Sequence, residues 1–422
     1  MSLVLEETTR SVSVFFPPST SPTRYRGVPI GQDYDGGVFH FDPFLLYEDQ
    51  LVTNPNVVVV GEIGRGKSAM IKTLLYREHL LGRDFFVIDP KGEYQKLAEA
   101  TRTRVIKLSR NSPIGLNPFP TFDRAMAPAA NLSRLLTSAY GLIEAVLGRR
   151  LEPQERFVYD LAIKESILNR SILTLHDLNR ALCDVSVSGT GGDRSLAAGL
   201  ASEVSRLISG DLSGIVGGSG VSLFDTPSVV VDLSSLIGTS GFAITVNLLM
   251  AHRQNYLHLG RAKGSFLVID EAWALLNSKT QVEWFLSLWK LSRSYGISNI
   301  AIQHRLSDLY YDRALGLALD SETFVVYSQP SSECKVACDF MAIPDHLAKA
   351  MVRLARGSAI WKVGRRVSLV SHKLHRLERP ICDTDQALTG GRRSTERPSG
   401  GSGANYGPGY LASDARSKDR YR

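Results

Sequence analysis

Residues 57–68 read VVVVGEIGRGKS, and this stretch constrains the fold more than any other part of the chain. Four consecutive valines without polar alternation specify a strand covered on both faces, as at the centre of a parallel sheet. Gly61, four further residues and Gly66-Lys67-Ser68 then complete G-x-x-x-x-G-K-[ST], the phosphate-binding P-loop. The chemistry requires these residue types at this spacing. Gly61, Gly64 and Gly66 let successive backbone N–H groups curl around a phosphate as an anion nest, with Glu62, Ile63, Arg65 and Ala69 completing the loop. The periodicity predicts a helix over Ser68–Leu81, whose N-terminus adds its dipole. Lys67 is placed to reach the β and γ phosphates of ATP, and the Ser68 hydroxyl to ligate Mg2+.

A second element completes a hydrolytic site. In FLVIDEAW (266–273) an apolar strand ends in Asp270-Glu271, the position and chemistry of a Walker B element. Asp270 would hold Mg2+ with Ser68, and Glu271 would polarise the attacking water as general base. Downstream, a helix carrying Arg293 precedes the strand Ile297–Ile302, which ends in Gln303. A polar residue at that tip is a candidate sensor of the γ-phosphate, and Arg293 is a candidate arginine finger toward a neighbouring subunit. In FFVIDPKGEYQKL (85–97), Asp89 ends a strand in the crevice where ligands bind such sheets. Asp89, Lys91 and Glu93 are candidates to contact nucleotide, Mg2+ or a neighbour, with a purely structural turn equally compatible. Tyr94 and Phe119 are candidates to cover the adenine, a core role being the simpler reading.

The 422 residues suffice for one large α/β domain with an insertion, or for two domains. Residues 1–50 read as a short β-rich lead-in, with SVSVFF, GVPIG and GGVFHFDPF. Residues 51–123 and 221–385 read as an α/β P-loop core with a mainly parallel sheet, its strands falling at Val57–Val60, Phe85–Ile88, Val105–Leu108, Val229–Leu233, Phe266–Ile269, Ile297–Ile302 and Phe324–Tyr327. Residues 124–220 read as an all-helical insertion of four or five helices, carried by Leu132, Leu135, Leu136 and Tyr140, then Phe157, Leu161, Ile163 and Ile167, then Leu175, Leu178 and Leu182. The Gly- and Ser-rich stretch from Val185 to Arg194 reads as a loop in it. A long helix is expected at about Phe242–His258. Residues 386–422 lack hydrophobic periodicity and read as a disordered basic tail.

Composition narrows the class further. Hydrophobic residues at 43% and charged residues at 22% are those of a soluble globular protein. No stretch reaches the roughly 18 uncharged apolar residues that span a bilayer, and MSLVLEETTR lacks the apolar run of a secretory signal, so the expected location is cytoplasmic. Cys183, Cys334, Cys338 and Cys382 form no zinc set and read as thiols in a reducing compartment. The net charge of +7 gives little support to nucleic-acid binding, because seven basic and three acidic residues of the tail account for +4 of it.

Together these residues resemble the FtsK–HerA superfamily of ring-forming P-loop ATPases, and within it the ATPase domain of the large VirB/TraC-type ATPases of conjugative type IV secretion. The resemblance is carried in order by GVPIGQDYDGGVFHFDPF, NPNVVVVGEIGRGKS, DPKGEY, GLNPF, the helical insertion, VIDEAW, and SRSYG with the downstream glutamine, over about residues 27–375. It implies a RecA-like P-loop sheet core with an inserted helical subdomain, working as a hexameric or otherwise oligomeric ATPase at the inner face of the cell membrane and docking with secretion-channel and coupling proteins. It also implies that Lys67, Ser68, Asp270, Glu271, Gln303 and Arg293 take the roles argued above. Two departures stand out. Relatives typically carry a substantial N-terminal domain where about 50 residues precede the P-loop here, and Ile302 and His304 flank Gln303 where threonine commonly precedes the glutamine. A DNA-translocating ATPase of the HerA/FtsK or coupling-protein type is the alternative function. A nucleotide-gated scaffold without turnover is a third, disfavoured by Glu271 and Gln303.

Overall fold

The computed structural model describes residues 25–34, 36–110, 117–120, 126–167, 173–210, 212–216, 227–258, 264–272, 279–305, 307 and 319–383. The expected strand at SVSVFF and the expected disordered tail lie outside these residues.

Val57–Val60 (β3) forms the spine of an eleven-stranded sheet, and its alternation shows why four valines are needed. Val58 and Val60 enter one apolar core, and Val57 and Val59 enter the other on the opposite face. Strands follow at Phe85–Asp89 (β4), Arg104–Lys107 (β5), Val229–Asp232 (β6), Ser265–Ile269 (β7), Ile297–Gln303 (β8) and Thr323–Val326 (β9). With β3 they make a parallel array in the order β9-β3-β8-β7-β4-β6-β5. The chain leaves β3 toward β4 on one side, whereas β8 sends it to β9 on the other. A crevice therefore opens at the carboxyl ends of β3 and β8, the topological switch point where ligands bind such sheets.

The remaining four strands extend the sheet in antiparallel fashion beyond β9. Ser358–Val363 (β10) and Arg366–His372 (β11) form a hairpin against β9, a feature that the sequence reading did not name. Val28–Asp33 (β1) and Val38–Phe41 (β2) of the lead-in pair onto β11, so they belong to the same sheet as the P-loop. Gly31 lies where β1 shifts register, and a Cβ there would sit 2.1 Å from the Ser371 carbonyl oxygen. Only glycine allows that approach. The turn helix Pro43–Glu48 (α1) is capped by Asp42, whose carboxylate accepts from the N–H groups of Phe44 and Leu45.

The P-loop helix Lys67–Leu80 (α2) and Gln95–Thr101 (α3) cover the face that contains Val57 and Val59. Between β5 and β6 run Pro128–Leu147 (α4), Pro153–Ile167 (α5), Leu175–Ser188 (α6) and Gly192–Ile208 (α7). Their buried residues join Val58 and Val60 in the second core, which Ser240–His258 (α8) also enters. A capping box between Thr174 and Asp177 starts α6. The loop expected at Val185–Arg194 is corrected: α6 runs to Ser188, α7 begins at Gly192, and only residues 189–191 are non-helical. Val185 packs against the core, so tertiary burial outweighs the weak local propensity of serine and glycine. On α5 the buried stripe is Val158, Tyr159, Ala162, Ile163 and Ser166, and Phe157 and Leu161 face outward.

Lys279–Tyr295 (α9) precedes β8, and Cys334–Met341 (α10), Asp345–Met351 (α11) and Arg379–Cys382 (α12) follow β9 and β11. Arg77 of α2 grips Glu378 through two 2.6 Å hydrogen bonds, which fastens α12 to the P-loop helix. At the other end of the sheet, Asn56 donates to the Trp289 carbonyl and accepts from the backbone and side chain of Asn299. Among the described residues no helix is long and apolar enough to cross a membrane.

Glu78 closes α2 in a buried cluster, where it accepts from Arg83, which in turn pairs with Asp42. Burial and the Asp42 charge push its carboxyl from the ordinary 4.5 up to about 8, with Arg83 opposing. A folded-state pKa above the unfolded value means that the folded chain holds the extra proton. Stability contributed here therefore declines as pH rises from about 4.5 to about 8. Glu78→Gln should flatten that decline, which thermal melts of both proteins from pH 5 to pH 8 will show. Parallel melting curves across that range would refute the assignment.

Candidate functional site

The P-loop leaves β3 at Gly61, whose added Cβ would lie 2.5 Å from the Tyr327 Cβ, so glycine is needed for the loop to pass β9. Gly64 and Gly66 take positive φ values of 77° and 109°, which lets the loop turn back into α2. The loop is pinned from outside, because Gly357 donates to the Arg65 carbonyl at 2.9 Å. Arg65 also pairs with Glu62 at 2.7 Å, and both line a cleft of about 690 Å3 together with Ile63, Gly64, His304, Arg305, Pro330 and Arg356.

Lys67 is buried at the first turn of α2. Its ammonium donates to the carbonyls of Gly61 and Glu62 and lies 3.4 Å from His304 Nδ1. Burial lowers its pKa to about 8, against the opposing pull of Glu271 and Asp270. Ser68 Oγ lies 3.5 Å from Asp270 Oδ2, so the P-loop and the end of β7 meet as their sequence patterns require. Asp270 is buried, accepts from the Tyr94 hydroxyl at 3.1 Å and from the Glu271 N–H at 2.9 Å, and has its pKa raised by burial and by the Glu271 charge.

Glu271 adopts φ 51°, a left-handed backbone that non-glycine residues visit at a cost and that clusters at functional positions. Its carboxylate is paired with Lys91 and with His304 Nε2, the latter at 2.8 Å. Gln303 ends β8 opposite Val60 of β3. Its side chain is buried, and among the described residues neither amide atom has a hydrogen-bond partner. An amide buried this way costs about 1–3 kcal/mol, and a bound phosphate or nucleophilic water is the kind of group that satisfies it.

Three sequence candidates have other settings. Asp89 is buried, with Oδ1 accepting from the N–H groups of Lys91 and Gly92 and Oδ2 from that of Tyr94. Burial raises its carboxyl to about 6. Its oxygens thus shape the DPKGEY turn, and the turn delivers Lys91 to Glu271 and Tyr94 to Asp270. Arg293 lies exposed on the last turn of α9, before β8 begins. β8 is seven residues long, so at about 3.3 Å per residue Arg293 is roughly 20 Å from the Gln303 end, at the opposite edge of the sheet. It therefore does not join this chain's own P-loop. Phe119 is buried in the core with Val58 and Val60.

The sequence reading missed the roles of three residues. Tyr94 is fully buried and orients Asp270; its place in DPKGEY was the available signal. His304 and Gly357 reach the P-loop from β8 and from the turn before β10, contacts at sequence separations of hundreds of residues that no local pattern encodes.

The donor set suits Mg2+. Among the described residues no group of three or more His, Cys, Asp or Glu side chains forms a metal cage. Ser68 and Asp270 instead offer two hard oxygens beside a phosphate-binding loop, and Mg2+ commonly takes one or two protein oxygens, with phosphate and water filling the rest. Bound there, the ion would screen phosphate charge, and Tyr94 would hold Asp270 toward it. Tyr94→Phe keeps the packing and removes that hydrogen bond. It should raise the Mg2+ concentration for half-maximal nucleotide hydrolysis by about tenfold, and an unchanged Mg2+ titration would exclude an orienting role for Tyr94.

Residues 47–148 match the AAA-like domain family. A search of curated proteins finds no match. Among solved structures, VirB4 of Thermoanaerobacter pseudethanolicus superposes with a TM-score of 0.69 at 20% identity, covering 85% of this chain and 100% of that one. The bacterial conjugative coupling protein TrwB, in its unbound monoclinic form, superposes with a TM-score of 0.55 at 14% identity over 84% of this chain and 90% of that one. The plasmid coupling protein TrwB in complex with ADP and Mg2+ gives 0.57 at 13% identity, over 85% and 90%. The resemblance drawn from the motifs is borne out at the level of the fold: the chain carries an AAA-like stretch at 47–148 within the P-loop ATPase fold seen in VirB4 and TrwB.

Proposed function

We propose that this chain is a Mg2+-dependent ATPase that works as a ring-shaped homo-oligomer, a hexamer, and energises conjugative or type IV secretion transfer of macromolecules across the cell envelope. The observation that carries the reading is the convergence of Lys67, Ser68, Asp270, Glu271 and Gln303 at the carboxyl ends of β3, β7 and β8. In this reading the P-loop residues Gly61–Ala69 hold the phosphates and Ser68 and Asp270 hold Mg2+. Glu271 activates water, Gln303 senses the γ-phosphate, and Asp89 supports the site through its turn. Residues 51–123 and 221–385 act as the motor core, with 124–220 as a helical insertion. The similarity to VirB4 over all of that chain supports a motor that meets protein partners of a secretion channel at the inner face of the membrane.

The similarity to TrwB favours a second reading, a motor that grips DNA. Steady-state ATP turnover of the purified chain, with and without single- and double-stranded DNA at two salt concentrations, separates the two. Turnover indifferent to DNA is the outcome expected of a secretion motor. Strong stimulation that collapses with salt would transfer the assignment to DNA translocation, since phosphate contacts weaken steeply with ionic strength.

The placement of Arg293 at the far edge of the sheet supports a role toward a neighbouring subunit and argues against one toward its own nucleotide. Arg293→Ala should lower turnover on the order of 10³-fold. Mixing it with subunits that lack a functional P-loop but retain Arg293 should restore part of the rate, and a mixture no faster than either variant would rule out a finger acting in trans.

A further inference from the structure

One imidazole stands between the two halves of the hydrolytic site. His304, the residue directly after Gln303, lies with Nδ1 3.4 Å from Lys67 Nζ and Nε2 2.8 Å from Glu271 Oε2. An ammonium only donates and a carboxylate only accepts. The ring that meets both is the neutral one with its proton on Nε2, donating to Glu271 and turning its Nδ1 lone pair to Lys67. Its backbone is fixed independently. The His304 carbonyl accepts from Gln329 Nε2 at 2.8 Å, and Ser307, three residues on, is held by Glu333 through its N–H and its hydroxyl. The backbone that carries the imidazole is therefore held by the segment after β9.

Lys67 has three acceptors in this arrangement, the carbonyls of Gly61 and Glu62 and the His304 ring. A triphosphate in the P-loop competes for the same ammonium. Whatever draws Lys67 toward phosphate removes the Nδ1 partner of the ring whose other nitrogen holds Glu271. Lys91 also reaches Glu271 from the DPKGEY turn, so among the described residues the carboxylate meets both a cation and this histidine.

Resting on the ATPase reading above, we propose that His304 is a positioning residue that orients Glu271 and makes that orientation depend on whether Lys67 is engaged with phosphate. It acts through Glu271 and contributes little to holding the nucleotide.

The test uses the full chain in five forms: wild type, His304→Ala, His304→Gln, Glu271→Gln and the Glu271→Gln/His304→Ala double variant, with Lys67→Ala as the inactive control. Steady-state ATP turnover and binding of a fluorescent non-hydrolysable ATP analogue are measured for each. His304→Ala should lower kcat by about tenfold or more while KM and analogue affinity stay within about twofold. His304→Gln, which can still donate to Glu271, should recover part of kcat and keeps the test open where the alanine variant folds poorly. In the Glu271→Gln background, His304→Ala should produce no further fall. Wild-type kcat in His304→Ala would overturn the proposal. So would parallel losses of affinity and kcat, or an equal fall in the Glu271→Gln background, each of which marks a direct phosphate ligand. If wild type turns over no faster than Lys67→Ala, the ATPase reading fails and this inference fails with it. If wild type turns over and Lys67→Ala does not, the His304 variants judge the inference alone.

Discussion

The site depends on the pairing of β3 with β8. Val57 to Val60 lie opposite Ile300 to Gln303, so the strand that starts the P-loop and the strand that ends in a buried glutamine stop at one level of the sheet. Both strands are covered on both faces, and a slip of one residue would exchange the valines between the two cores. Register is therefore fixed by packing, and the chemistry inherits it. The Asn56–Asn299 hydrogen bonds at the opposite ends of the same strands add a polar lock.

The second constraint is the compensation of buried charge. Three carboxylates, Asp89, Asp270 and Glu271, lie buried close enough in space to feel one another's charge, and each is answered differently. Asp89 is satisfied by backbone N–H groups, Asp270 by a tyrosine hydroxyl and the next N–H, and Glu271 by Lys91 and His304. Lys72, fully buried on α2 above the Tyr94 ring and 3.8 Å from Glu93, adds a cation beneath the cluster. Leaving an ionised group uncompensated in such a place costs several kcal/mol, which is why acids and bases occur together here. Among the described residues the Gln303 amide has no internal partner, so its hydrogen-bonding capacity is open to a ligand.

The parallel strands were legible because each is a short apolar run, and their ends placed Asp270, Gln303 and Asp89 at one edge of the sheet. The α6–α7 boundary was misread because composition near Val185 suggested a loop, whereas burial of Val185 against the helical core sustains the helix. Phe157 and Leu161 shared the helical period but not the buried face, since period alone fixes spacing and not direction. The β10–β11 hairpin escaped notice because Lys362, Arg365 and Arg366 interrupt its apolar pattern, yet it joins the lead-in strands to the parallel strands of the sheet.

By itself the sequence determined the P-loop, the Walker B carboxylates and the alternation of strand and helix, because these are local: they depend on residue type, spacing and period. Only the tertiary structure decided which groups face one another across the crevice. Lys67 and His304 are 237 residues apart, and Ser68 and Asp270 202. Their distances are set by sheet order and register, which no stretch of chain specifies alone. The far-edge position of Arg293 follows from the same cause, because a strand that brings one end to the P-loop carries its other end away from it.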